Sequence, residues 1–272
     1  MLSNEDIAKY GRDGYYFPID ILTPEEAGEY RKRLEDYEAR SGGPLEGAMR
    51  HKSHLLFTWL DELIRHPRIL DAVEDVLGPN ILCWSSSFFI KEPRDPSFVS
   101  WHQDSTYWGL EPPDIVTAWV AISESTVENG AMRVIPGTHR GEQIPHRDTF
   151  AAHNLLSRGQ EIAVEVDGSK AVDLVLQPGE MSLHHVRLIH GSEANPSGRR
   201  RIGFAIRYLP THVRQTIGER DFATLVHGVD THHNFEPERR PDADMSEQAR
   251  AFHARVSGAQ QQMLMRDTER TM

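Results

Sequence analysis

Two spacings of hydrophobic residues divide the chain near residue 80. Before it, apolar positions recur at helical intervals. In "HPRILDAVEDVLG", Ile69, Leu70, Val73, Val76 and Leu77 share one face, and Gly78 is a stop signal. "TPEEAGEYRKRLEDYEAR" predicts a second helix, with Thr23 as N-cap, Pro24 at the first helical position and Glu25 and Glu26 facing the helix dipole. Its dense charge makes it a solvated outer helix. Ser3 is placed to cap a short first helix, with Glu5 and Asp6 in its first turn. From Asn80 the spacing changes. "ILCWSSSFFIKE", "DIVTAWVAIS", "AMRVIPG", "AVDLVLQPGEMSLHH" and "RIGFAIRYLP" are short runs rich in β-branched and aromatic residues, separated by Pro, Gly, Asn and Asp. Such irregularly spaced strands predict a sandwich or jelly roll, not a βαβ array. After Pro210 the chain turns polar, and "MSEQARAFHARVSGAQQQML" predicts a closing helix. The expectation is one domain over 1–272: a helical part at about 1–79, a strand-rich core at about 80–210 and a polar segment at 211–272.

Composition narrows the function. The 272 residues carry a net charge of −11, and Arg199-Arg200-Arg201 is the only compact basic run, which argues against a nucleic-acid partner. A single cysteine, Cys83, excludes a disulfide framework or a Cys-based zinc site within the chain. No stretch approaches the ~18 apolar residues of a membrane span, and the acidic start "MLSNEDIAKYGRDG" does not read as a secretory signal. The expected protein is cytoplasmic, binds a small molecule and engages neither nucleic acid nor membrane. Its oligomeric state is left open.

The chemistry concentrates in "SWHQDSTYWGL". Read as a strand, it puts His102 and Asp104 on the same side. One imidazole and one carboxylate hold a divalent ion weakly. A second imidazole would complete the 2-His-1-carboxylate set, whose open positions suit non-heme Fe(II) oxygenases. "GEMSLHHVRLIHGS" offers His184, His185 and His190. His190 is the choice, because it closes an apolar strand through Val186 and Leu188 and meets Gly191-Ser192 at a turn, which should leave its ring at a cavity mouth. Arg201 follows eleven residues later (201 − 190) and opens the strand "RIGFAIRY". Its planar fork suits a carboxylate; Arg200 takes that role if the strand register is off by one. Arg50, Lys52 and His54 in "MRHKSHLL" are ordinary surface or, in the alternative, a basic rim that selects a small carboxylate or phosphonate substrate. Tyr107 and Trp108 are candidates for a lid or pocket wall, and His139 in "VIPGTHR" is a candidate to face the site. "HGVDTHH" holds metal-ligand residue types but lacks strand patterning, so it reads as surface. There is no GxSxG elbow and no phosphate-cradling glycine loop.

At "FFIKEP", "SWHQDSTYWGL", "VTAWVAISESTVENGAMRVIPGTHR" and "HHVRLIHGSEANPSGRRRIGFAIRY" the chain resembles the phytanoyl-CoA dioxygenase (PhyH) superfamily of Fe(II)- and 2-oxoglutarate-dependent oxygenases. With "GYYFPIDILTPEEAGEYRKRLE" the resemblance spans roughly Tyr10 to Pro210. It implies a mainly β, cupin-like double-stranded β-helix, or jelly roll, with helices packed outside. It implies His102, Asp104 and His190 as iron ligands and Arg201 on the distal carboxylate of 2-oxoglutarate, with Ser192, Trp119 and Lys91 at the same site. It further implies Fe(II), 2-oxoglutarate and O2 as cofactor and co-substrates, and hydroxylation of an aliphatic C–H with release of succinate and CO2. Halogenating relatives carry a small residue where Asp104 stands, so the resemblance favours oxygen transfer. No dedicated basic surface suggests a CoA thioester. The alternatives are a cupin-like metal-dependent isomerase or hydrolase, which has no use for Arg201, and a non-catalytic jelly-roll binding module, which has no use for an intact ligand set.

Overall fold

The computed structural model describes residues 1–218 and 220–266. Helix α1 (Asn4–Asp13) begins in a reciprocal cap: the Asp6 amide donates to the Ser3 hydroxyl and the Ser3 amide to the Asp6 carboxylate. Strand β1 (Tyr15–Asp20) follows at once. Helix α2 (Pro24–Ser41) repeats the cap with Thr23 and Glu26, and it buries only Ala27 and Leu34, as its charge predicts. Helices α3 (Thr58–Leu63) and α4 (Pro67–Leu77) complete this part, with Gly78 ending the last.

The strands are β2 (Ile81–Lys91), β3 (Val99–His102), β4 (Leu110–Glu111), β5 (Val116–Ala121), β6 (Met132–Val134), β7 (His146–Asp148), β8 (Gln160–Ile162) and β9 (Val172–Leu174). They continue as β10 (Glu180–His185), β11 (His190–Ser192), β12 (Arg201–Pro210), β13 (Arg214–Gln215), β14 (Phe222–His227) and β15 (Glu236–Pro237), before helix α5 (Glu247–Leu264). The major sheet has seven strands in the order β1-β10-β5-β12-β2-β14-β15, and the minor sheet four in the order β3-β11-β6-β9. The two face each other as a jelly roll. Both ends of the major sheet lie outside the expected strand region of 80–210. β1 pairs with β10 inside the part read as helical, and β14 pairs with β2 inside the polar segment.

Strand β12 shows how the sheet separates core from site. Side chains alternate across a strand. Ile202, Phe204, Ile206 and Tyr208 point outward and pack with Leu60, Leu63, Ile69 and Val73 of α3 and α4. Burying each such side chain fully contributes roughly 1.5–3 kcal/mol. The intervening Arg201, Ala205 and Arg207 point inward to the space between the sheets. Neighbouring strands follow the same rule: Val116, Ala118 and Val120 of β5 join the helix-side core, while Thr117 and Trp119 line the interior. The absence of a side chain at Gly203 is structural, since a Cβ there would lie 1.9 Å from the Trp119 ring.

Candidate metal centre and co-substrate pocket

Three elements bring His102, Asp104 and His190 together. His102 ends β3, and His190 opens β11 directly opposite it in the ladder. The strand does not continue through Asp104, as the sequence pattern suggested. It stops at His102, and Asp104 starts a short 3-10 turn whose first amide donates to the Val186 carbonyl at 3.0 Å. The side chains converge all the same: His102 Nε2 lies 3.1 Å and His190 Nε2 3.9 Å from Asp104 Oδ1. Nor does His190 close a strand with Val186 and Leu188. Those residues form the turn between β10 and β11, and the His190 ring is buried, not exposed at a mouth.

The donor set fits a divalent ion. His102 Nδ1 faces the carbonyls of Ser100 and His190 at 2.9 and 3.1 Å, and His190 Nδ1 faces the Leu188 carbonyl at 3.0 Å. Carbonyls only accept, so both Nδ1 atoms carry the hydrogen. Each Nε2 is then free to offer its lone pair toward the carboxylate. One ligand atom from each of the three residues lies within 4.8 Å of the others. Lone pairs gathered so closely need a cation between them. Burial pushes the His190 imidazole down to about 4, with the neighbouring His102 adding to it, which favours the neutral, ligating form. Burial alone would raise the Asp104 carboxyl, but the facing His102 and His190 imidazoles and the Arg207 guanidinium hold it below the usual carboxylate range. His184 is buried on the same cavity wall, its ring centroid 4.8 Å from that of His190. His185 faces away and packs against His139.

The ligand set borders a small, partly open cavity between the two sheets. Arg201, Ser192 and Trp119 line it, and Lys91 contacts Ser192 from beside it. Arg201 is 2% exposed; Nη1 donates to the Gly130 carbonyl, Nε has no hydrogen-bond partner, and the guanidinium lies 5.5 Å from the centre of the Trp119 ring. Lys91, opposite Arg201 in the ladder, is 2.7 Å from Ser192 Oγ and donates to the Gly130 and Glu193 carbonyls. Burial first, and Arg201 second, push the Lys91 amine down to about 6. Arg200 turns outward and is tied up by Glu38 at 2.7 and 2.8 Å and Glu92 at 2.8 Å. The inward guanidinium is therefore that of Arg201.

The segment with Arg50, Lys52 and His54 forms no basic rim, and for Lys52 and His54 it is not ordinary surface either. Lys52 and His54 are fully buried outside this cavity. Lys52 Nζ is 2.6 Å from Glu238 Oε1 and donates to the Trp84 and Phe222 carbonyls, and His54 Nε2 is 3.0 Å from Glu238 Oε2. Arg50 donates to the Phe88 carbonyl at 3.4 Å and does not line the cavity either. His139 packs against Gly14 and reaches the Gly11 carbonyl at 3.3 Å, at the N-terminal helix. Tyr107 donates to Asp148 at 2.6 Å beneath Arg158, and Trp108 packs tilted against Trp84 with centroids 4.8 Å apart; neither borders the cavity itself. The residue that sequence reasoning passed over is Arg207. It lines the cavity, and its even spacing from Arg201 on one strand was the available signal. In "HGVDTHH", His227 pairs with Glu74 and Asp230 accepts from the His232 and His233 amides, so these residues hold surface structure.

Comparison with known proteins gives a consistent picture. The family model described as phytanoyl-CoA dioxygenase (PhyH) matches residues 10–203. The probable alpha-ketoglutarate-dependent hypophosphite dioxygenase of Stutzerimonas stutzeri is 33% identical over 157 residues, covering 57% of this chain and 54% of that protein. The chain matches about half the length of the first curated relatives. Among solved structures, the non-heme monooxygenase ThoJ in its apo form is 36% identical, with TM-score 0.84, covering 95% of this chain and 96% of that one. CytC3 with Fe(II) and alpha-ketoglutarate is 27% identical, with TM-score 0.66, covering 89% of this chain and 95% of its own. No helix among the described residues is long and apolar enough to cross a membrane.

Proposed function

The chain belongs to the PhyH family of Fe(II)- and 2-oxoglutarate-dependent dioxygenases, and from that premise we propose that it hydroxylates an aliphatic C–H of a small, polar, anionic metabolite. The observation that carries the reading is one cavity lined both by a cation-binding set and by a buried, partly unsatisfied guanidinium. His102, Asp104 and His190 would hold the iron. Arg201, Lys91 and Ser192 would hold the distal carboxylate of 2-oxoglutarate, with Trp119 as the wall beside it. When bound, iron with 2-oxoglutarate and O2 supplies the oxidising power to attack an unactivated C–H bond. The protein's part is orientation and dryness. The carbonyls on each Nδ1 fix the imidazole planes, and Phe89, Val99, Met132 and Ala205 keep the walls apolar. Hypophosphite, the compound in the name of the Stutzerimonas relative, is a small oxyanion, which supports an anionic substrate here.

The direct test is succinate release from 2-oxoglutarate after anaerobic loading with Fe(II) and exposure to air, across a panel of small carboxylates and phosphonates. Succinate formation stimulated by one of them supports the reading; no 2-oxoglutarate consumption under any condition overturns it. Arg201→Ala is expected to raise the apparent KM for 2-oxoglutarate about tenfold to a hundredfold, the worth of a charge-assisted bond to a buried carboxylate. Metal content should stay near wild type. Arg200→Ala, whose guanidinium is already paired outside the cavity, should leave that KM unchanged.

Lys91 gives a second, independent check. With its amine held near 6, it is mostly neutral at pH 7 in the free protein. An arriving carboxylate favours the ammonium and raises that value. Binding of 2-oxoglutarate at about pH 7 to 8 should therefore take up close to one proton. Calorimetry in buffers of different ionisation enthalpy reads this directly, and Lys91→Met should abolish the uptake.

A further inference from the structure

Resting on the hydroxylase reading, we propose that Arg207 anchors the primary substrate by its anionic group, a carboxylate or a phosphonate. Arg207 lies six residues beyond Arg201 (207 − 201) on the same face of β12, and it is 8% exposed. It lines the cavity together with Thr117, its partner across the ladder. Thr117 is in turn paired with His184, whose ring touches that of His190. An anion held by Arg207 thus sits in a row of side chains that ends at His184, against the ring of the ligand His190. Arg201 lies at the other end of the same cavity wall, so the two guanidiniums serve two different ligands.

The guanidinium of Arg207 is prepared for a partner it does not have. Nη1 donates to Ser87 Oγ at 2.8 Å, and that hydroxyl is fixed in turn by His51 Nδ1 at 3.0 Å. Nε has no hydrogen-bond partner. The rings of Phe89 and Trp108 flank the charge at 5.7 and 5.8 Å. Among the described residues no carboxylate forms an ion pair with it. Burying an unpaired charge is costly, and away from this site the chain pairs such cations with carboxylates. Arg200 has Glu38 and Glu92, and Lys52 has Glu238.

Charge counting points the same way. Asp104 is the carboxylate that Arg207 feels, but it belongs to the ligand set. A divalent ion and Arg201 bring three positive charges; Asp104 and the 2-oxoglutarate dianion bring three negative ones. Arg207 remains as a buried surplus, and any charge on Lys91 adds to it. A substrate carrying an anionic group removes that surplus. A neutral or cationic one leaves it or worsens it.

The test uses binding, not turnover. The full chain is loaded with Fe(II) and 2-oxoglutarate without oxygen. Propionate, methylphosphonate and the neutral isostere propionamide are then titrated calorimetrically into wild type, Arg207→Gln and Arg207→Lys. Wild type is expected to bind at least one of the anions and not the amide. Arg207→Gln should weaken anion binding about tenfold to a hundredfold, and Arg207→Lys should recover part of the loss. The proposal is overturned if wild type binds neither anion at millimolar concentration, if it binds the amide equally well, or if Arg207→Gln binds the anions as wild type does. Should Arg207→Gln misfold, Arg207→Lys and the wild-type discrimination between propionate and propionamide still decide the matter. Failure of the hydroxylase reading shows separately, as the absence of succinate release in air.

Discussion

Asp104→Ala is expected to abolish 2-oxoglutarate turnover and to strip the protein of its metal. The carboxylate is the only anionic member of a set otherwise made of two neutral imidazoles, so its loss removes both a ligand and the charge that offsets the dication. Loss of a partner that merely orients a ligand typically costs about 10–100-fold in metal affinity; loss of the ligand itself should exceed that. The backbone has reason to stay in place, because the Asp104 amide keeps its bond to the Val186 carbonyl. His102 and His190 keep their Nδ1 carbonyl partners as well. The variant should therefore fold, with a melting temperature close to that of metal-free wild type, while metal analysis finds it empty and no succinate appears. Added chloride should not restore a reaction, since a vacated ligand position does not by itself build the surroundings a halide needs. Normal turnover in a metal-replete Asp104→Ala protein would show that the ion is bound elsewhere.

How much of this could be read from the chain depends on the range of each interaction. Helices α2 and α4 are written locally, in caps and periodicity, and were found where expected. Strand β1 was missed because "YYFPID" contains a proline and follows a helix directly; it survives as a strand because it lies at a sheet edge. Strand β14 was missed because half of it is solvated near the other edge and it lies in polar sequence. The juxtaposition of His102 with Asp104 was legible from their spacing, although the strand that was meant to create it ends at His102, two residues before Asp104. The inward turn of Arg201 was legible from the apolar alternation of β12, and the same alternation reaches Arg207. What local pattern could not reveal was the fate of Lys52 and His54. A basic cluster looks like surface until its counter-ion is known, and Glu238 lies 186 residues from Lys52.

That buried pair gives the largest expected effect on stability. Lys52→Met should destabilise the fold by about 3–5 kcal/mol, the usual cost of removing one partner of a buried ion pair. Lys52 Nζ, Glu238, His54 and Thr224 form one network, with Glu238 accepting at 2.6 Å from Lys52, 3.0 Å from His54 and 2.6 Å from Thr224. The network ties the segment after α2 to β2, to β14 and to the strand end at 236–238. Burial would raise the Glu238 carboxyl, but the Lys52 charge and the His54 hydrogen bond overcome it and hold the group at about 2. A depressed carboxyl contributes stability that is fully present above its unfolded value of about 4.3 and is lost as pH falls toward 2. In Lys52→Met the same carboxyl keeps its burial and loses the ammonium, so it prefers to be protonated. The gap in stability between wild type and variant should then shrink on going from about pH 7 to pH 4. Denaturant titrations of both proteins at the two pH values measure that gap. Replacing both partners with apolar residues, Lys52→Met with Glu238→Leu, should cost less than the two single changes added together, because neither charge is left alone. If Lys52→Met were as stable as wild type at neutral pH, the ammonium would have to be solvated and not buried. Lys52 would then return as a candidate for the substrate's path.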